Sequence, residues 1–405
     1  MKQNWEIKRL GDVVEFQRGL TYSKKDEVDF SDNVVLRSNN VDLFRNQLDF
    51  SELKYINSSI EIPENKKVKK GSLLICTANG SKRHLGKVAL IDDDYNYAFG
   101  GFMGLINPKQ KLDSKFLFYL MTSDNYKKFI NELSDGANIN NLKFGDLGQF
   151  EITLPPLPEQ QRIVAILDEA FAAIAKAKAN AEKNLKNARE LFESYLQGVF
   201  ENKGEDWEEK SLGDVCKISS KLIDPKISEY QNLIHIGAGN IESQKGTLIG
   251  LKTAKEENLI SGKFLFDESM VLYSKIRPYL MKVVNCKFQG LCSADIYPLV
   301  PIKEKMTKNF LYHLLLTKNF TDYAILGSQR AGMPKVNREH LFAFKFELPP
   351  IKEQQIIIQK LDALSAETKK LEAIYQQKIN DLEELKKSVL QKAFSGELGT
   401  NIRVE

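Results

Sequence analysis

Residues 154–170 read LPPLPEQQRIVAILDEA and residues 348–364 read LPPIKEQQIIIQKLDAL, so the chain states one motif twice. At an offset of 194 the two stretches share Leu, Pro, Pro, Glu, Gln, Gln, Ile, Leu and Asp, nine of seventeen positions. The offset still holds where Leu196, Gln197 and Phe200 fall on Leu390, Gln391 and Phe394, so no insertion separates the copies and both segments have one length.

A double proline forces extended backbone and cannot continue a helix, whereas the Ala-, Lys-, Glu- and Leu-rich run behind it can. A long helix is therefore predicted just after each LPP. In the first copy Pro158 suits the first helical position and Glu159 meets the positive end of the helix dipole; the second copy has Lys352 in place of that proline. Apolar or small residues recur at Leu167, Ala170, Ile174, Ala177, Ala181, Leu185, Ala188, Phe192, Tyr195 and Val199. The second run holds a stricter heptad at Ile357, Leu361, Leu364, Leu371, Tyr375, Leu382, Leu385 and Val389, with Thr368 and Lys378 as polar interruptions. Such a narrow stripe predicts a two-helix coiled coil. From Glu159 to Phe200 the helix would measure roughly 60 Å at about 1.5 Å per residue. The pair could be a stabilising hairpin or a spacer of defined length, and equal length in both copies favours the spacer.

The duplication extends into the globular parts. WEIKRLGDV (5–13) matches WEEKSLGDV (207–215), VLRSNNV (35–41) matches HIGAGNI (235–241), SLLICT (72–77) matches SMVLYS (269–274), and FLFYLM (116–121) matches FLYHLL (310–315). The offset shrinks from 202 to 194 on the way, so loops absorb a difference of eight residues. Short apolar stretches broken by Gly, Asn and Asp read as strands, while 115–133 and 308–326 have helical spacing and length. The fold class is mixed α+β: two homologous α/β domains and two long antiparallel helices, a pseudo-twofold internal repeat. The predicted boundaries are 1–154 and 203–348 for the globular domains, 155–202 for the central helix, and 349–405 for the C-terminal helix and tail.

Lys and Arg number 58 against 54 Asp and Glu, a net charge of +4 that neither demands nor excludes a polyanionic partner. The basic excess lies in the globular parts: residues 203–348 carry 21 basic and 17 acidic side chains. Cys76, Cys216, Cys286 and Cys292 show neither CxxC spacing nor flanking histidines, which argues against zinc and against a disulfide framework. No leader and no apolar run long enough to span a bilayer is evident, so a cytoplasmic protein is expected.

Two copies of LPP-x-x-EQ, each ending a W-x-x-x-x-LGDV domain and opening a helix of one length, resemble the specificity subunit of type I restriction-modification systems. The resemblance covers the whole chain. It implies that the globular units are target recognition domains, each reading one half of a split double-stranded DNA sequence. It also implies that the helices set the gap and dock DNA methyltransferase subunits, two of them following the internal symmetry, and that ATP-dependent restriction (translocase) subunits join the complex.

Reading base edges takes Arg, Lys, Asn or Gln on loops that enter the major groove, flanked by groups that hold phosphates. In the first domain the loop 77–87 offers Asn79, Ser81, Lys82, Arg83 and His84, and its counterpart 274–282 offers Ser274, Lys275, Arg277, Tyr279 and Lys282. A second pair of loops lies just ahead of each LPP: 134–143 with Asn138, Asn140, Asn141 and Lys143, and 328–338 with Gln329, Arg330 and Lys335. Arg37 and Asn39 are weaker candidates, as are His235 and Asn240; the paired Asn40 and Asn240 suit turns better than reading. A solvated basic turn competes with the functional reading at each single residue.

No cofactor is expected. GAGN (237–240) is too short and wrongly flanked for a dinucleotide fingerprint, no phosphate loop GxxxxGK[ST] is present, and no methyl-donor motif or Asn/Asp-Pro-Pro-aromatic tetrapeptide appears. His84, His235, His313 and His340 form no triad or metal pattern, and His313 lies in an apolar helix as a core residue would. The expected function is non-catalytic recognition and assembly, with methylation and cleavage left to partners. The alternative is a structural coiled-coil adaptor joining two protein-binding domains.

Overall fold

The structure, a computed structural model, describes residues 4–135, 141–219, 222–328 and 333–398. The chain forms two compact units, Met1–Ala181 with Gln377–Glu405, and Glu182–Gln376.

In the first unit Glu6–Arg9 pairs antiparallel with Glu151–Leu154, closing the globular part next to the LPP motif. A four-stranded sheet runs Val14–Arg18, Met103–Pro108, Leu73–Cys76, Val88–Leu90, and a second runs Glu27–Val28, Lys54–Ile56, Asn33–Leu36, Ala98–Phe99. The second unit repeats the plan. Glu208–Ser211 pairs with Lys345–Leu348, and a sheet runs Cys216–Ile218, Ile296–Pro301, Val271–Ser274, Val283–Val284. Beside it lies a five-stranded sheet ordered Leu222–Ile223, Lys263–Phe266, Gly290–Cys292, Ile234–Ile236, Lys252–Thr253.

The shared motifs anchor each globular part to its helices. Leu10 and Leu212 of the LGDV turns are fully buried, and their N–H groups donate to Phe150 O and Phe344 O, each at 2.8 Å. Gly11 lies against Gly148, and its N–H donates to Gly148 O at 3.1 Å. Gln160 and Gln354, both 0% exposed, do one job in two places. Gln160 Nε2 donates to Lys111 O and Pro155 O, and its Oε1 accepts from Asp113 N. Gln354 Nε2 donates to Lys305 O and Pro349 O, and its Oε1 accepts from Thr307 N. Each glutamine thus satisfies three backbone groups that no helix or strand bond reaches.

The predicted long helices span Leu157–Glu201 and Ile351–Ser395, 45 residues each, or about 67 Å at 1.5 Å per residue. Within the first unit they pair through Lys178 and Glu383 at 2.6 Å, and within the second through Arg189 and Glu372 at 2.9 Å; both pairings run antiparallel. These bridges are substantially exposed and contribute well under about 1 kcal/mol each, so apolar burial carries the pairing. In the first unit Ile163, Leu167, Leu390 and Ala393 join Leu10, Phe116 and Leu147 in one core. In the second, Leu196, Ile358 and Leu361 join Leu212, Phe310 and Leu341.

The contact line departs from the expected heptad. Thr368 is 3% exposed and Ile379 8%, whereas Leu371 and Leu385 are 37% and 48% exposed. Spacing from Thr368 to Ile379 to Leu390 is eleven residues, or about 3.67 per turn, close to a straight helix, so the buried line drifts away from a 3.5-residue repeat. Thr368 is accommodated because its hydroxyl donates back to Leu364 O. In the first helix Leu196 is buried in place of Tyr195, which is 39% exposed.

Each shorter helix expected over 115–133 and 308–326 is instead two: Ser114–Leu120 and Asp124–Asp135, then Lys308–Leu314 and Lys318–Leu326. Hydroxyl caps break them, since Thr317 Oγ1 accepts from Phe320 N at 3.2 Å and Ser123 Oγ from Tyr126 N at 3.4 Å. Among the described residues no helix is long and apolar enough to cross a membrane.

Candidate nucleic-acid interface

The candidate loops of each copy converge. In the first unit Leu142 N donates to Thr77 O at 2.6 Å and Asn141 bridges to Ala78, so the roots of loops 77–87 and 134–143 lie side by side. In the second unit Val336 N donates to Lys275 O and Arg277 N to Pro334 O, joining loops 274–282 and 328–338 in the same way. Asn138, Asn140, Gln329 and Arg330 lie outside the described residues.

The 37–40 turn joins the first cluster. Asn79 Nδ2 donates to Ser38 Oγ at 2.9 Å, while Asn79 Oδ1 accepts from Ser81 N at 2.9 Å, so Asn79 organises the loop as much as it presents an amide. Asn40, 1% exposed, holds the turn: it accepts from Arg37 N and donates to Asp49 O and Glu52 O. Asn240 repeats this by accepting from Gly237 N and donating to Ile249 O and Gly250 O. A cleft of about 940 Å³ opens between the turn and the loop, lined by Arg37, Asn39, Asn79, His84 and Phe102 among others. Phe102 is 73% exposed there, an apolar ring at the cleft that no motif in the sequence marks.

Ser81, Lys82 and Arg83 are exposed, as is Lys143. Lys82 Nζ donates to Ser134 O at 3.0 Å, tying the loop to the end of a helix. Burial, and after it the charges of Lys87 and Arg83, lower the pKa of His84 below its ordinary value, which favours a neutral ring.

In the second unit the side chains divide differently. Arg277 and Tyr279 are exposed, and Arg277 holds φ 50°, a left-handed conformation uncommon for arginine, fixed by the bond to Pro334 O and by Leu280 N donating to Arg277 O. Lys275 Nζ stands 5.0 Å from the ring centroid of Tyr297, and burial, followed by Lys335, lowers its pKa. Lys335 is exposed and lies 3.8 Å from Asp295. Ser274 is 1% exposed and Lys282 Nζ donates to Ala238 O at 2.6 Å, so both serve the fold in this conformation. Lys87, the counterpart of Lys282, is 8% exposed and donates to Val41 O. His235 is 7% exposed and paired with Glu257 at 2.6 Å, which places it in a strand rather than at the loop surface.

The remaining reactive groups are inward. The four thiols are buried, and burial raises all their pKa values, Cys216 to about 12 and Cys286 to about 11, leaving no thiolate nucleophile near neutral pH. His313 is 2% exposed and its Nε2 lies 3.0 Å from Asp362. Among the described residues no group of three His, Cys, Asp or Glu side chains could hold a metal ion.

Comparison with known proteins shows the family and the fold. The family model for the type I restriction modification DNA specificity domain matches twice, over residues 2–184 and 204–384. The EcoDI type I restriction enzyme specificity subunit of Escherichia coli is 31% identical over 327 residues, covering 73% of this chain and 72% of its own. The EcoKI specificity subunit of Escherichia coli strain K12 is 24% identical over 433 residues, covering 100% and 91%. In fold, the chain is similar to the HsdS subunit from Thermoanaerobacter tengcongensis, with TM-score 0.62, 19% identity and 98% of each chain covered. A chain from a structure on assembly and conformational transition of a type I R-M system superposes with TM-score 0.77 at 18% identity, covering 98% and 99%. With two matched domains that take in most of its length, the chain belongs to the type I restriction-modification DNA specificity family.

Proposed function

We propose that the chain reads a bipartite double-stranded DNA target, one half through each globular part, and carries no catalytic residues of its own. The first half would be read by the 37–40 turn with loops 77–87 and 134–143, the second by loops 274–282 and 328–338. The observation that supports this best is the repeated loop pairing: in both copies the basic loop and the loop ahead of LPP are joined at their roots, so among the described residues Arg83 and Lys143 share one edge of the first copy, and Arg277 and Lys335 one edge of the second.

The long helices act as spacer and as docking surface for two DNA methyltransferase subunits, with ATP-dependent restriction subunits joining that core, in the cytoplasm where the DNA is. Methyl transfer and cleavage belong to those partners. Co-expression with the methyltransferase subunit and sequencing of the methylated DNA tests the reading. A split motif is expected; methylation without sequence preference, or a sequence-specific methylase activity of the chain alone, would overturn it.

A further inference from the structure

One arginine in the first cleft has an incomplete set of hydrogen bonds. Seen side-on, a guanidinium presents Nε and Nη2 as a fork that fits two acceptors together. Arg162 has this fork filled, with Nε 2.7 Å and Nη2 2.8 Å from the two carboxylate oxygens of Glu159. In Arg37 the same fork has Nη2 3.4 Å from Glu52 Oε1, beyond the ordinary range, and a buried Nε with no partner among the described residues. Asn39 Nδ2 donates to the other oxygen of Glu52 at 3.1 Å. His84, which lines the same cleft, also has a buried ring nitrogen, Nδ1, with no partner among the described residues. Buried polar atoms are normally satisfied, so two orphans in one cleft point to a ligand that completes them.

We propose that Arg37 reads a guanine in the half-site addressed by the first globular part, and that Glu52 guards Arg37 in the free protein; this rests on the DNA-reading function proposed above. In the major groove guanine offers N7 and O6 as two neighbouring acceptors, which an arginine fork takes together. A phosphate also offers two acceptors, but Arg37 is only 32% exposed and is flanked by the amides of Asn39 and Asn79, which suits a base edge better than a backbone. Glu52, with its side chain 75% exposed, holds Arg37 and Asn39 weakly and can swing away. Its negative charge repels a phosphate approaching the cleft, so sequence-independent contact is penalised while the correct base displaces the carboxylate. The second globular part has Gly237, Ala238 and Gly239 where the first has Arg37, Ser38 and Asn39, so the device belongs to one half-site alone.

The test uses the complex of this chain with its methyltransferase subunit. The wild-type motif should contain a G·C pair in the first domain's half, and Arg37→Ala should relax that one position by roughly ten- to a hundredfold while the other half stays intact. Glu52→Gln should keep the motif but tighten binding to random duplex, so that the ratio of cognate to random affinity falls several-fold. Uniform weakening by Arg37→Ala on all sequences, or an unchanged motif, would overturn the proposal. Should Arg37→Ala lose both halves together through misfolding, Glu52→Gln decides: unchanged affinity for random duplex contradicts the proposal. Failure of the underlying reading is visible separately, as a wild-type complex without a split motif.

Discussion

The side-chain oxygen of Gln160 accepts a hydrogen bond from the Asp113 backbone N–H at 2.8 Å, forty-seven residues away, and so fastens the start of a long helix to the globular part before it. Gln354 accepts from Thr307 at the same distance in the second copy. Replacing Gln160 with Ala would strand the buried Pro155 carbonyl and the part-buried Asp113 N–H and Lys111 carbonyl, at a cost of about 3 kcal/mol. Chemical denaturation should show this loss for Gln160→Ala and a similar one for Gln354→Ala. Losses below about 0.5 kcal/mol would mean that water replaces the amide without penalty.

That bond also marks how far the sequence could be read. The LPP prolines and the repeat announced the helices, but nothing local to Gln160 reveals partners at Lys111 and Asp113. The basic loops were legible because cationic residues follow an apolar strand in both copies. Which of their side chains face outward was not: Ser274 turns in toward the Ile276 carbonyl two residues on, and Lys282 toward the Ala238 carbonyl, which only the folded chain brings near. Glu52 gave no signal, because an acidic residue in a DNA-reading domain gains meaning only from the arginine it faces. The helix stripe was legible but its period was not: the buried line passes through Thr368, Ile379 and Leu390 at eleven-residue spacing and leaves Leu371 exposed, and Thr368 is buried like an apolar group because its hydroxyl bonds to its own helix.

The repeat also predicts an asymmetry in pH response. Tyr119 OH donates to Asp168 at 2.6 Å, and His313 faces Asp362 at the equivalent place. Burial lowers the His313 pKa most, Asp362 opposes this, and Lys369 adds to the lowering. His235 is lowered by burial too, against the pull of Glu257. A lowered folded-state pKa means that the unfolded chain takes up protons first, so stability present above the ordinary value of 6.5 is lost as pH falls through the folded value. Denaturation between about pH 7.5 and 5 should show this loss, and the repeat-derived pair His313→Tyr with His235→Val should flatten it. An unchanged slope in the double variant would assign the acid sensitivity to other groups.

Arg83 and Arg277 stand exposed in equivalent loops of different globular parts. Arg83→Ala and Arg277→Ala should therefore act on different halves of one split target. Loss of a direct base contact costs roughly 1–3 kcal/mol at one position. Methylation motifs of the two variants provide the comparison, and equal weakening on all sequences would make that arginine a phosphate contact.

The central claim is that two readers are held at a set distance by helices of equal length. Seven residues inserted after Ala179 and seven after Ala373 lengthen each helix by about 10 Å, the rise of about three base pairs at 3.4 Å each. The measurement is the methylation map of the complex carrying both insertions. The account predicts that both half-sites keep their bases while the unread gap grows by one to about three base pairs, bending and twisting of the DNA absorbing the rest. An active variant with an unchanged gap would contradict it.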